Sequence, residues 1–485
     1  MDRTPSISLS RSLTSAVIVW AGITAASIVC TLWLYLARGQ QGIRAVAMAG
    51  PSSDLPLTLL SVAISWLLVG GCLAMLRSRR VHAGNVLAVA GFFLIGLLYV
   101  NVLRERQTYG DVADYSQAAA NLYFHQPLHA RYLYPPLWAT ILEPLVPLGA
   151  SAIFEFTWLL NLVSLCGLYL LLQRALRRYG FSAHLAAIVT FTFMVVNVPI
   201  LRTLCYVQVN LHVTNLILAA LIFYPSSRLV SALALSLAIQ LKASPAVLVL
   251  VFVLERDVRW LAWFGLWTLT IVAATVVVNG WSPYHDFLVN IQHIYGANGM
   301  AFRENSFDSF FHALVALSGH GSKWAGGVIL ASKLMLAAAV LRIARLSVTR
   351  RLFYEGGGQG TVVLNATPVL LILMTMASPL VWEHHPVFVS LSYLVLLKGL
   401  SSPVEWLIYG VAYYVEFLVP TFDFFPWSFG RLISPLVWLA LVGSLSRQSW
   451  PSPWLAKVNA WLTDVKLPQT FVDSDSESAR IAAGQ

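Results

Sequence analysis

Charge is scarce in this chain: 11% of its 485 residues are Asp, Glu, Lys or Arg against 58% hydrophobic, a balance that excludes a water-soluble globule of this length. Cysteine is scarcer still. The four present, Cys30, Cys72, Cys166 and Cys205, lie in or beside apolar runs without CxxC spacing, which argues against a disulfide framework or a zinc site and leaves them as packing residues. No Walker or dinucleotide motif, no GxSxG and no internal repeat is present. The usual signatures of nucleotide binding and of a serine hydrolase are therefore missing.

What the chain has in abundance is apolar sequence, in runs long enough to cross a hydrocarbon core of about 30 Å. Lipid offers the backbone no partners, so such runs must be helical. About fourteen segments recur, from 13–37 to 430–446, and the two near 229–243 and 245–255 are short and split at Ser244-Pro245, as half-spans of a broken helix would be. The expected fold is all-α, a polytopic integral membrane protein. Residues 1–83 make a cytoplasmic segment and two extra spans, the first of them a signal anchor. Residues 84–446 form the main transmembrane domain. Residues 447–485 hold an interfacial helix around Trp454 and Trp461 and a disordered acidic tail.

Twenty of the thirty-one Lys and Arg residues fall on alternate connections, which predicts that both termini are cytoplasmic. By the same alternation the loops 104–150 and 280–324, and the short connections near 203–207, 380–385 and 420–430, face the other compartment. The net charge of +10 is accounted for by basic residues at cytoplasmic helix ends, so no nucleic-acid partner is expected.

The polar residues collect on that outer face. Tyr109-Gly-Asp-Val-Ala-Asp-Tyr115 follows directly on a span, and Tyr132-Leu-Tyr-Pro-Pro-Leu137 marks an ordered loop after it. Asp111 and Asp114, three apart, share a face of a helical turn, where the pair would raise the pKa of one member toward that of a useful base; the structural alternative is that one or both cap the helix. Gln208 and Asn210 open a span, and two amides there need partners. Lys242 stands where the positive-inside bias would not place it, and an ammonium there wants an anion. Trp382-Glu-His-His385 fills an outward turn, and Arg303-Glu-Asn-Ser306 lies in the second long loop. Snorkelling, interfacial histidines and amide contacts between helices are the plain alternatives for each. Their convergence on one face is harder to assign to packing.

Taken in order, Asp111 with Tyr115, Tyr134-Pro135-Pro136, Gln208-Val-Asn210, Lys242 before Pro245, Asn305-Ser306, and Ser378-Pro379 with Trp382-Glu383-His384-His385 resemble glycosyltransferase family 87, over roughly residues 84–445. That family comprises polyprenyl-phosphate-mannose-dependent mannosyltransferases of the GT-C superfamily, best represented in actinobacteria. Two departures stand out: the first two spans look like additions, and Val207 occupies a position where the family often has Gly. The resemblance implies a GT-C-like domain in the plasma membrane of a bacterium, with catalytic loops outside. It implies an inverting transfer of a hexose, mannose by the family, from a lipid-linked donor to a lipid or glycan hydroxyl. Asp111 would be the general base with Asp114 in reserve. Lys242, then Arg303, Arg202 and Arg431, would stabilise the departing phosphate, and His384 or His385 would protonate or hydrogen-bond it. Tyr115, Tyr134, Gln208, Asn210, Asn305 and Glu383 would hold the sugars, with Trp281, Tyr132 and Trp382 as further stacking surfaces. No metal and no cofactor beyond the lipid-linked donor is expected; the partners are membrane lipids, donor and acceptor. The competing class is a secondary transporter or flippase, supported by the broken segment and an intramembrane Lys333.

Overall fold

The structure, a computed structural model, describes residues 5–46, some positions between 70 and 96, and residues 110–195, 197–297, 305–317, 325–358, 360–419 and 429–446. Every regular element among these is helical, and the chain is an all-α polytopic membrane protein. Two compact units are formed. One contains residues 1–101 and 463–485 and includes helix α1 (Pro5–Val46), which is interrupted at Gly39 and leaves Ile18, Val29, Trp33 and Leu36 exposed, as a lipid-facing helix does. The other spans residues 102–462 and carries the candidate site.

In this second unit the order is α2 (Asp111–Tyr123), α3 (Leu137–Leu142), α4 (Ala150–Arg178), α5 (Ala183–Val195), α6 (Val198–Cys205), α7 (Asn210–Phe223), α8 (Arg228–Leu241), α9 (Val249–Glu255), α10 (Val258–Asn279), α11 (Ser282–Ala297), α12 (Phe307–Leu317), α13 (Ala325–Arg350), α14 (Thr361–Met376), α15 (Ser390–Leu396), α16 (Pro403–Phe417) and α17 (Gly430–Leu445). Fourteen straightforward crossings are not what these helices provide. Among the described residues four stretches are long and apolar enough to cross, Val17–Ala37 of α1, α4, α10 and Gly326–Arg350 of α13, and α5 with α6 adds a fifth if its 58° bend is counted within one span. Several of the remaining apolar segments are short: α7 and α8 have 14 residues each, about 21 Å at 1.5 Å per residue and less than the core thickness. The segment near 56–77, apart from Gly70, and the interfacial helix around Trp454 lie outside the described residues, and the one at 84–103 is described only in part.

Helix α14 is buried at every position from Val363 to Met376 and packs against α13, α9, α15, α17 and the turns at Ser244–Leu248 and His385–Val389. Its two weak points are mended from outside. The free N–H groups of its first turn, at Val362 and Val363, and that of Gly360 donate to the Glu255 carboxylate at the end of α9, at 2.9–3.2 Å. Pro368, in the middle of the helix, cannot donate to the Leu364 carbonyl, and the Tyr179 hydroxyl of the α4 end donates to it instead at 2.9 Å. The predicted split after α8 is present: Lys242 is extended (φ −157°, ψ 125°), and Ser244–Leu248 turns into α9.

Candidate active site

Helix α2 decides which carboxylate faces the protein. Tyr115, Ala118, Ala119 and Leu122 form its buried stripe at helical spacing, and Asp111, one turn before Tyr115, lies on that stripe. Asp114 is rotated away and pairs with exposed Arg131 at 3.8 Å. The helix is capped by Gly110 without any side-chain bond, so neither carboxylate serves as N-cap. Gly110 is required for another reason. A Cβ there would stand 2.6 Å from Tyr206 Cδ1 and 3.1 Å from Tyr206 Cα, so its absence lets the start of α2 close on the turn that carries Gln208.

That turn ends α6. The Gln208 N–H donates to the Thr203 carbonyl at 3.0 Å and the Val207 N–H to that of Leu204 at 3.3 Å, the pattern of a helix closed by a left-handed residue. Val207 is that residue, at φ 52°, a conformation that is strained for a β-branched side chain and natural for Gly. The result is a buried Gln208 whose Oε1 accepts from two hydroxyls, Tyr115 at 3.2 Å and Tyr134 at 3.0 Å. The rings of those tyrosines meet edge to face at 5.2 Å. Tyr134 is positioned by its loop, which α11 fastens: Asn290 donates to the carbonyls of His129 and Tyr132, and Asp286 accepts from the Leu128 N–H.

The second half of the cluster centres on Lys242. Its Nζ lies 2.9 Å from Asn210 Oδ1 and 2.9 Å from His385 Nε2, with the rings of Tyr134 and Phe388 at 5.6 and 5.4 Å. His384 stacks on His385, and its backbone carbonyl accepts from Asn210 Nδ2 at 3.4 Å. Among the described residues, Nδ1 of buried His384 has no hydrogen-bond partner. The loop carrying both histidines is joined to Asn305, whose N–H donates to the Val381 carbonyl at 2.6 Å.

Electrostatics tie the halves together. Burial lifts the Asp111 pKa from 3.8 to about 6; Lys242 opposes this, Asp114 adds to it and Arg131 opposes. Burial lowers that of Lys242, which lies in the break outside α8, to about 7, and Asp111 opposes. Burial, then Lys242 and Arg431, push His384 well down. No hydrogen bond or ion pair engages the Asp111 carboxylate among the described residues, so its lone pairs remain open to a bound hydroxyl.

The structure thus brings Asp111, Tyr115, Tyr134, Gln208, Asn210, Lys242, His384 and His385 into one constellation. Other expected residues stand differently. Glu383 Oε2 lies 2.6 Å from Arg202 Nε and Oε1 lies 3.7 Å from Arg431 Nη1, so its direct part is to hold two guanidinium groups. Tyr132 is fully buried, its hydroxyl caught between the Pro135 carbonyl and the Ala139 N–H, which leaves it no face for a sugar. Trp281 is largely exposed and stacks on Tyr284. Arg303 lies outside the described residues. Gly110 was not singled out in the sequence, although a Gly directly before the candidate base was a visible signal of close approach. Among the described residues, no group of three or more His, Cys, Asp or Glu is arranged to hold a metal.

An open carboxylate in the same cluster as a buried lysine, set among amides and tyrosines in a multi-pass helical protein, is an arrangement able to take a proton from a bound hydroxyl. The model of glycosyltransferase family 87 matches residues 132–397, more than half of the chain, and the chain belongs to that family. It is a membrane glycosyltransferase. No curated protein and no solved structure matches it.

Proposed function

We propose that this glycosyltransferase takes a hexose, mannose by analogy with its family, from a polyprenyl-phosphate donor and passes it with inversion to a hydroxyl of a lipid or glycan acceptor. The site opens on the outer face of a bacterial plasma membrane, and both termini are cytoplasmic. The observation that carries the reading is Asp111, a carboxylate poised near neutrality with open lone pairs, in the field of Lys242. In the transfer, the acceptor O–H gives its proton to Asp111 as its oxygen bonds to the sugar C1. The bond from C1 to the phosphate oxygen breaks, and its electron pair leaves with the lipid phosphate. Lys242 as ammonium meets that growing charge, with His384 and His385 beside it and Arg202 and Arg431 adding a fixed positive field. Help from a general base of this kind is worth about 10²–10⁴-fold.

Gln208, Asn210 and the two tyrosine hydroxyls offer directed donors and acceptors to sugar hydroxyls. A cavity of about 490 Å³, lined by Val112, Ser116, Ala120, Val146 and Phe154 on the other side of α2, supplies an apolar wall of the kind a lipid tail needs. The transporter alternative leaned on the broken segment, which is present, and on Lys333, which pairs with Asp308 of α12 rather than standing alone in the membrane. The test is a donor screen with purified protein, labelled polyprenyl-phosphate sugars and labelled nucleotide sugars. Transfer from the lipid phosphates alone is expected. Transfer from a nucleotide sugar, or solute movement in proteoliposomes without any transfer, would overturn the reading.

A further inference from the structure

The hydrogen bonds around His385 fix the protonation state of Lys242. Nδ1 of His385 accepts from the Trp382 backbone N–H at 2.9 Å, and a backbone N–H can only donate. Nδ1 therefore carries its lone pair, the imidazole is neutral, and its single proton sits on Nε2. Nε2 lies 2.9 Å from Lys242 Nζ. An ammonium has three donors and no acceptor, so it cannot receive that proton; a neutral amine can, and it can still donate to Asn210 Oδ1 on its other side. The Asn210 amide cannot be turned round to change this count, because its Nδ2 is committed to the His384 carbonyl.

We propose that the empty site holds Lys242 as a neutral amine that accepts the Nε2–H of His385, and that the donor phosphate is bound with uptake of one proton by that amine. The inference rests on the lipid-phosphate reading above and adds the protonation step to it. The balance is simple. Solvent supplies the proton, Nζ becomes an ammonium paired with a phosphate oxygen, and the Nε2–H of His385, released from its acceptor, becomes a second donor to the same anion. His385 is thus a positioning residue. The groups facing Nζ are Asp111 from α2, Tyr134 from its loop, Asn210 from α7, Phe388, and His385 with His384 behind it; Asp111 is the charged group among them that favours the ammonium in the empty site, and the two rings add a weaker attraction. An arriving phosphate adds a second negative charge and tips the balance.

Linkage then requires donor affinity to fall about tenfold for each pH unit above about 7, where the amine must be protonated on binding, and to change less steeply below, where Asp111 titrates. The test is calorimetry of the intact protein in detergent with a prenyl methyl phosphate diester, a probe that does not itself titrate near neutrality, in two buffers of different ionisation enthalpy. Uptake of about one proton per site is expected at pH 8 and little at pH 5.5. His385→Phe, which keeps the ring but removes the Nε2–H, should bind the probe with much reduced uptake at pH 8, and Lys242→Met should show none at either pH. Binding by the unaltered protein at pH 8 without proton uptake would refute the neutral amine while leaving the phosphate site intact. No binding of the probe at any pH would overturn the lipid-phosphate reading itself. Because the decisive comparison is within the unaltered protein, a variant that fails to fold does not spare the proposal.

Discussion

Replacing Asp114 by Asn separates the two carboxylates of α2 in one experiment. Asp111 has its pKa raised from 3.8 to about 6, with burial the leading cause and Asp114 a smaller one of the same sign. If Asp111 is the base, kcat/KM needs its ionised form, and the acid limb of the pH profile has its midpoint near 6. A group of that pKa is about one-tenth ionised at pH 5 and about nine-tenths ionised at pH 7, so the unaltered protein should lose about tenfold between those points. An unshifted carboxylate would lose almost nothing. With Asp114→Asn the like charge three residues away is gone, so the limb should move to lower pH by less than the burial contribution. The rate at pH 7 should be nearly unchanged. The assay is transfer from a lipid-phosphate donor at limiting substrate across pH 4.5–8. Loss of activity at every pH would identify Asp114 as the base and refute the assignment drawn from the buried stripe; an acid limb that rises instead of falling would refute the electrostatics.

Gly110→Ala should lower kcat by about 10–100-fold, read in the same assay, because a Cβ 2.6 Å from Tyr206 Cδ1 forces α2 away from the Gln208 turn by a fraction of a helix diameter. Glu383→Gln removes the carboxylate that bridges Arg202 and Arg431, while Arg431 keeps Glu416 and the Glu416 and Val419 carbonyls, and should cost at most about 3 kcal/mol, the low end for a buried pair because Arg202 retains 34% exposure; a lowered thermal midpoint in detergent checks it. Asp111→Asn should raise that midpoint at pH 7. The folded carboxylate titrates near 6 and the unfolded one near 3.8, so ionising it costs the folded state nothing below 3.8, progressively more up to about 6, and the full amount above, at most about 3 kcal/mol. At pH 3.5 the variant and parent should melt together.

The membrane setting was legible in composition and the helical class in the long apolar runs, because in lipid a continuous apolar segment satisfies its backbone within itself as a helix. The number of crossings was not. Apolar runs such as 207–224 and 229–243 read as spans by hydropathy, yet a run's apolarity reflects burial against neighbouring helices, here α7 and α8 on each other and on α4 and α10, as readily as burial in lipid, and the 14-residue helices found there are too short for the second. At the site, the residue types were readable and their pairings were not. Lys242 was expected to meet an anion and meets Asn210 and His385; Glu383 was expected at a sugar and bridges two arginines. Partners 32 to 181 positions apart leave no local pattern. Two local signals did carry through. Val207, which the resemblance set where the family often has Gly, is a left-handed residue, strained by about 1–2 kcal/mol and held by the helix end on one side and by the two tyrosines gripping Gln208 on the other. The spacing of Asp111 to Tyr115 put the carboxylate on the face that α2 buries, where Asp114 is not.

Single-turnover transfer from a purified polyprenyl-phosphate sugar, with parent and Asp111→Asn protein in the same micelles and each shown to be folded by its melting midpoint, tests the central claim most directly. A drop of about 10²–10⁴-fold in the transfer rate, with donor affinity held within a few-fold, is the predicted result. Transfer by the variant at the parent rate would contradict it.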